Sequence, residues 1–188
     1  MSNEKSFKKQ LTTRIYGLSL VSKSANFKTK LMVGNAIVIS KISYLIQLWG
    51  GTHDYLIKAL QVTMNRAARL ITGQSWFTPT TVLLRKCQWL SVKQLVAYHT
   101  LLTVHSTINT QKPAYLHNKM CPVTEQHTRQ IVKFDDRFTG RSEKTKSSFY
   151  YRGVMLFNRL PAEIQGIQSK EGFKRKMKKW VLMNIPVE

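Results

Sequence analysis

SSFYYRGVMLFNRLPAEIQGIQSKEGFKRKMKKWVLMN (Ser147–Asn184) carries an apolar turn, a proline break and a one-sided basic helix in succession. A Tyr151-Arg152-Gly153 step leads into an apolar turn, Val154–Leu160. Pro161 breaks that turn, because proline has no amide hydrogen to offer a continuing helix. Ser169 then stands where an N-cap is wanted, its short oxygen-bearing side chain suited to a first-turn amide. Behind it Phe173, Met177 and Trp180 recur at helical spacing as one apolar stripe. Lys174, Arg175, Lys176, Lys178 and Lys179 fill the remaining surface. Such a helix buries one face and presents cations on the other.

The same one-sided pattern runs upstream. Apolar spacing predicts one helix over Phe27–Trp49, closed by Gly50-Gly51, and a second from an Asp54 N-cap to Ile71, ended by Gly73. On the second, Leu56, Leu60, Met64, Ala67 and Ile71 share a face. Lys58, Arg66 and Arg69 lie on the other side, within about 80° of one another at roughly 100° per residue. Thr78-Pro79 reads as the N-cap and first residue of a short helix through Cys87. Ser91-Val92-Lys93-Gln94 has capping-box spacing and opens a longer helix toward Ile108, and Pro113 opens another short one. From Cys121 to about Ser147 the apolar residues thin out and charges of both signs appear, which reads as a linker with a short strand at Ile131–Phe134. The expected fold is therefore mainly α: a small helical bundle over residues 1–120, an irregular linker over 121–147, and a short basic helical C-terminal tail over 148–188.

Charge is the strongest signal of the composition. There are 30 Lys and Arg against 9 Asp and Glu, a formal +21, and between Lys5 and Thr124 the only acid is Asp54. A folded surface this basic repels itself unless counterions or a polyanion neutralise it. Nucleic acid is the usual partner, since displaced counterions drive the binding; a basic surface kept for solubility, or an acidic protein partner, is the alternative. A 43% hydrophobic content in 188 residues supports a packed core and argues against a wholly disordered tail. Cys87 and Cys121 are widely spaced, and Lys5, Lys8, Lys9 and Arg14 are followed by polar residues rather than a secretory apolar core, so a reducing, intracellular setting is expected, nuclear or cytoplasmic. Leu31–Trp49 is the one stretch that imitates a membrane span, but Ser40, Ser43 and Gln47 fall on one helical face, as in a buried amphipathic helix, and no membrane partner is expected.

Several segments carry a resemblance. The tail, with Asn158, Leu160, Pro161, Glu163, Ile164, Phe173, Lys174, Lys178 and Trp180 in order, resembles the C-terminus of non-LTR (LINE-type, jockey-like) retrotransposon polyproteins, which read F-x-Y-R-x-x-x-L-W-N-x-L-P-x-E-I followed by F-K-x-x-L-K-x-W-L. Phe157 stands where that pattern usually has Trp. Upstream, Ile39–Tyr44 with Leu48-Trp49-Gly50, then Leu60–Gly73, Leu83-Leu84 through Trp89–Val92, and Pro113–Leu116 resemble the same proteins in the same order. The resemblance runs from about Phe27 onward and corresponds to the region after the reverse-transcriptase palm, the thumb and C-terminal extension. It implies a region that holds template–primer or the element's RNA against a palm domain, and none of its motifs is catalytic.

Catalytic chemistry finds little support in the residues. A reverse transcriptase needs carboxylates holding two divalent metals about 4 Å apart. Family members carry them in a Tyr-x-Asp-Asp turn between hydrophobic strands. The Asp135-Asp136 pair lacks a Tyr two residues earlier and a strand hairpin, and reads as a solvated loop. His117, Cys121 and His127 are irregularly spaced and short of the four ligands of a structural zinc, even if Cys87 is added. His53, His99 and His105 read as helix-face or loop residues, and the Cys-Cys-His-Cys knuckle of some relatives is missing.

Binding chemistry is better supported. Lys58, Arg66 and Arg69 on one helix and Lys174, Arg175 and Lys178 on another are the candidate phosphate contacts, with Tyr150, Tyr151 and Trp76 as aromatics able to stack on bases. For Phe157, Phe173 and Trp180 core packing is the expected role; for Trp76 and Tyr150 both readings stand. The expectation is a non-catalytic region that binds RNA or DNA, without a cofactor, metal or small-molecule substrate. The alternatives are a protein-interaction or structural module retained from a retrotransposon, or a decayed reading frame.

Overall fold

The computed structural model describes residues 2–44, 46–51, 54–119, 122–123, 133–134 and 148–187. It is mainly α, as expected. Helices α1 (Ser2–Val21) and α2 (Phe27–Gly34) lead into a π-helical turn (Asn35–Ile39) and α3 (Ser40–Ser43). Then come α4 (Ile46–Trp49), α5 (Asp54–Thr72), α6 (Thr80–Cys87), α7 (Val92–Thr110) and α8 (Ala114–Lys119). A minimal antiparallel pair, β1 (Pro122–Val123) with β2 (Lys133–Phe134), precedes α9 (Phe149–Asn158), α10 (Ala162–Gln165) and α11 (Lys170–Asn184). No helix among the described residues is long and apolar enough to cross a membrane.

Two compact units divide the chain: Met1–Tyr44 with His53–Leu95 and Val187–Glu188, and Leu45–Thr52 with Val96–Pro186. Packing thus divides the chain within α7, whereas composition divides it at 120 and 147. In the first unit α5 packs against α1, α2, the π turn and α6. Its apolar face buries Ile57, Leu60, Met64, Ala67 and Ile71. Gly34 lets α2 approach closely: a Cβ there would meet Ile71 Cδ1 at 2.5 Å and Trp89 Cζ2 at 3.3 Å. Beside it the Trp89 indole N–H donates to Asn35 Oδ1 at 2.7 Å, which satisfies the polar handle of a buried ring.

Two buried polar side chains of α5 tie helix ends together. Gln61 Nε2 donates to Asn65 Oδ1 at 2.8 Å, and Asn65 Nδ2 donates to Thr80 Oγ1 at 2.9 Å. Gln61 Oε1 accepts from the Val92 amide at 2.8 Å, one of the orphan donors that open α7. The expected capping box supplies two more, Ser91 N to Gln94 Oε1 at 3.0 Å and Gln94 N to Ser91 Oγ at 3.2 Å.

The second unit is built around Leu101 and Val104 of α7, Val154, Phe157 and Leu160 of the α9 segment, Ile164, and Phe173, Met177 and Val181 of α11. Ser148 and Ser169 cap α9 and α11, each accepting a first-turn amide at 3.3 Å. Across the Pro161 break, Gln165 Nε2 donates to the carbonyls of Phe157 and Leu160, both at 2.9 Å. Carbonyls at a helix end have no partner in their own ladder, so this amide closes α9 and fixes the turn into α10.

Several expectations on element bounds are corrected. The helix expected over Phe27–Trp49 is interrupted, because Tyr44 adopts an extended conformation (ψ 114°). Ile42 and Ile46 would share one face of a continuous helix, yet they are fully buried in different units. The short helix starts at Thr80 with Pro79 as its N-cap, one residue later than expected. The tail's apolar turn is the end of a full helix that begins at Phe149. The N-terminal α1 was invisible because its buried residues among those described, Leu11 and Leu18, stand seven apart in a polar, basic stretch.

Gln61→Leu leaves the Val92 amide and the Asn65 side chain without their buried partner. Urea denaturation is expected to show a loss of about 1–3 kcal/mol, with the helical circular dichroism of the native state kept.

Candidate nucleic-acid interface

An amphipathic helix that commits its apolar stripe to the core has nowhere to put its cations except the surface. On α11, Phe173, Met177 and Val181 are buried, Arg175, Lys176, Lys178 and Lys179 are exposed, and Lys174 is half-buried at the boundary. Trp180 is half-buried, packed at the rim of the core that encloses Phe173 and Phe157. Of the six candidate phosphate contacts, Arg175, Lys178, Lys58 and Arg66 are thus exposed. Lys58, Arg66 and Arg69 belong to the first unit and Lys174, Arg175 and Lys178 to the second.

On α5 Lys58, but neither Arg66 nor Arg69, borders a groove of about 410 Å³ lined by Ile57, Lys58, Gln61, Val62, Asn65, Ser91 and Lys93. Lys93 enters it from the first turn of α7, a contribution that no spacing on α5 could reveal. Arg69 differs from its neighbours. Its side chain is half-buried, with the guanidinium carbon 4.7 Å from the centre of the Trp76 ring. Nη2 donates to the carbonyls of Trp76 at 3.0 Å and Thr78 at 3.4 Å. Arg69 therefore holds the segment between α5 and α6, which leaves Trp76 and Phe77 exposed, Phe77 at 91%. Phe77 was not singled out in the sequence; its signal was a second aromatic in a short interhelical segment, outside any helical stripe.

Several other chemistry-bearing groups among the described residues are engaged in packing and backbone contacts. His105 is buried, its ring stacked 3.9 Å from Phe173 at an interplanar angle of 14°. Its Nε2 lies 2.6 Å from the Ile167 carbonyl, which makes Nε2–H the donor; Asn109 Nδ2 lies 3.0 Å from Nε2 and 3.3 Å from the acceptor Nδ1. Burial lowers the pKa of His105 against the raising effect of that carbonyl, with Lys170 lowering it further; burial alone lowers His99. Burial also pushes the Cys87 thiol from 9.0 up to about 11, so it stays protonated and poorly nucleophilic at neutral pH. Arg152 of the Tyr-Arg-Gly step is half-buried and donates to the Gln47 carbonyl at 2.9 Å. His53, Cys121, His127 and the Asp135-Asp136 pair lie outside the described residues.

The tail signature and the α5 segment are thus mostly core and capping residues with cations on the outer face. Over 107 residues, 52% of this chain, the sequence is 32% identical to a Drosophila melanogaster protein described as "Probable RNA-directed DNA polymerase from transposon X-element". About half of the chain is thus similar to part of a transposon RNA-directed DNA polymerase. The match covers 12% of the X-element protein, so it concerns a small part of that polymerase. No protein-family model and no solved structure matches the chain.

The histidines set a pH dependence for this unit. Folded-state pKa values held below the ordinary 6.5 mean that the unfolded chain takes up protons first as pH falls. Their contribution is complete above about pH 6.5 and is lost as the pH drops through the lower folded values. Denaturation midpoints are expected to fall between pH 7.5 and 5, and His105→Gln, which keeps a donor but does not titrate, is expected to flatten that fall.

Proposed function

We propose that this chain is a non-catalytic nucleic-acid-binding region, corresponding to the thumb and C-terminal extension of a non-LTR retrotransposon reverse transcriptase. The observation that carries this reading is the placement of its charge. In a chain of formal charge +21, Lys58 and Arg66 on α5 and Arg175, Lys176, Lys178 and Lys179 on α11 are exposed on helices whose apolar faces are buried. Groups in such positions can neutralise phosphates without giving up any packing. The relationship to a retrotransposon polymerase supports the same partner, RNA or a template–primer duplex, and an intracellular place of action. In this reading the chain positions nucleic acid for a palm domain and carries no polymerase carboxylates of its own.

The test is a salt titration of the purified chain with a fluorescent RNA and a DNA of matched sequence. Log K is expected to fall by roughly 0.7 to 0.9 per neutralised phosphate for each unit of log salt. Replacing Lys174, Arg175 and Lys178 together by Ala is expected to lower affinity and slope while the thermal midpoint stays within a few degrees. A flat salt response, or a triple variant that binds like the parent, would favour the interaction-module reading. Primer extension with magnesium or manganese on a primed RNA template is expected to give no product, and extension that copurifies with the chain would overturn the non-catalytic assignment.

A further inference from the structure

The geometry points to the Trp76–Phe77 segment as a stacking platform for unpaired nucleobases, held in shape by Arg69; this rests on the nucleic-acid reading and adds a specificity to it. Phe77 is 91% and Trp76 64% exposed, in consecutive positions. Exposing two large rings side by side costs solvation that a purely structural segment avoids by turning one inward. The segment is nevertheless held in a defined shape. The Arg69 guanidinium lies over the Trp76 ring and binds the Trp76 and Thr78 carbonyls, and the Thr78 amide donates to the Ser75 carbonyl at 3.1 Å. Pro79 at the foot of α6 fixes the exit of the segment.

The occupant is set by charge. Arg66 stands one turn before Arg69 on α5 and is exposed, and Arg85 and Lys86 are exposed on α6. Asp54 is the only acid between Lys5 and Thr124. Exposed aromatic rings on a segment joining two helices that carry exposed cations suit a ligand that is flat, apolar on its faces and polyanionic along its backbone. Unpaired RNA or DNA has that chemistry. A base-paired duplex hides its faces in the stack, so phosphate contacts alone remain for it.

Arg69 acts here as a positioning residue. A lysine would keep its charge but could not reach two carbonyls while lying flat on the indole. Arg69→Lys therefore separates loop positioning from phosphate contact.

The experiment measures binding of the whole chain to a single-stranded RNA, the same strand with abasic sites, and the matched duplex, each across a salt series. Stacking is worth about tenfold or more per base in such sites. Phe77→Ala is expected to lose about tenfold on the single strand, little on the abasic strand or the duplex, and nothing from the salt slope. Phe77→Tyr is expected to restore binding. Arg69→Lys is expected to reproduce the Phe77→Ala pattern. Quenching of 2-aminopurine placed in the single strand is expected with the parent chain and not with Phe77→Ala. The thermal midpoint of Phe77→Ala should match the parent, because the side chain touches solvent rather than core.

Steep, salt-dependent binding that is unchanged in Phe77→Ala, or an abasic strand bound like the intact one, would overturn the stacking platform and leave the nucleic-acid reading standing. No salt-dependent binding by the parent chain would overturn both. Loss of self-association in Phe77→Ala, without change in binding, would assign the rings to a protein contact instead.

Discussion

An apolar core in this chain must pack beneath a strongly basic surface, because the sequence carries a formal charge of +21. Like charges on a compact surface repel, and with Asp54 the sole acid between Lys5 and Thr124 there is little internal relief. Amphipathic helices meet the constraint because one face is dry and the other wet. On α5 the buried stripe from Ile57 to Ile71 lies behind Lys58 and Arg66; on α11 Phe173, Met177 and Val181 lie behind Arg175, Lys176, Lys178 and Lys179. Repulsion that remains on the outer faces is a standing free-energy cost, and it is relieved when a polyanion replaces diffuse counterions.

The segments that resemble retrotransposon polymerases can be understood in these terms. Most of their residues build the fold rather than touch a ligand. Leu160, Ile164 and Phe173 belong to the core of the second unit with Trp180 packed against it, Arg152 donates to the Gln47 carbonyl, and Gln165 closes the end of α9 across Pro161. In the α5 segment Gln61 and Asn65 secure the starts of α6 and α7, and Arg69 secures the turn that follows. A sequence signature of this type reports a shape. Its exposed residues are the cations between the packing positions.

Helix starts were legible in the sequence wherever a short polar side chain reaches a first-turn amide, as at Ser91 with Gln94 and at Ser169. Gly73, with φ of +64°, ends α5 as expected because its backbone suits glycine. The break at Tyr44 was not legible, since Ile42 and Ile46 keep perfect helical spacing and only their burial in different units requires the interruption. The same limit applies to the candidate interface. Lys58, Arg66, Arg175 and Lys178 could be assigned to outer faces from periodicity alone. Arg69 looked equivalent, but its partners are main-chain carbonyls in an interhelical segment, and no residue pattern announces those. Lys93 joined the α5 groove from another helix for the same reason.

The claim that packing faces and nucleic-acid faces are separate on the same helices is tested most directly by ultraviolet crosslinking of the whole chain to a single-stranded RNA, with the linked peptides identified by mass spectrometry. Links are expected within residues 58–79 and 170–182, with none at the buried Phe157, Phe173 or Met177. Links confined to other segments, or none under conditions where the RNA is bound, would refute that separation.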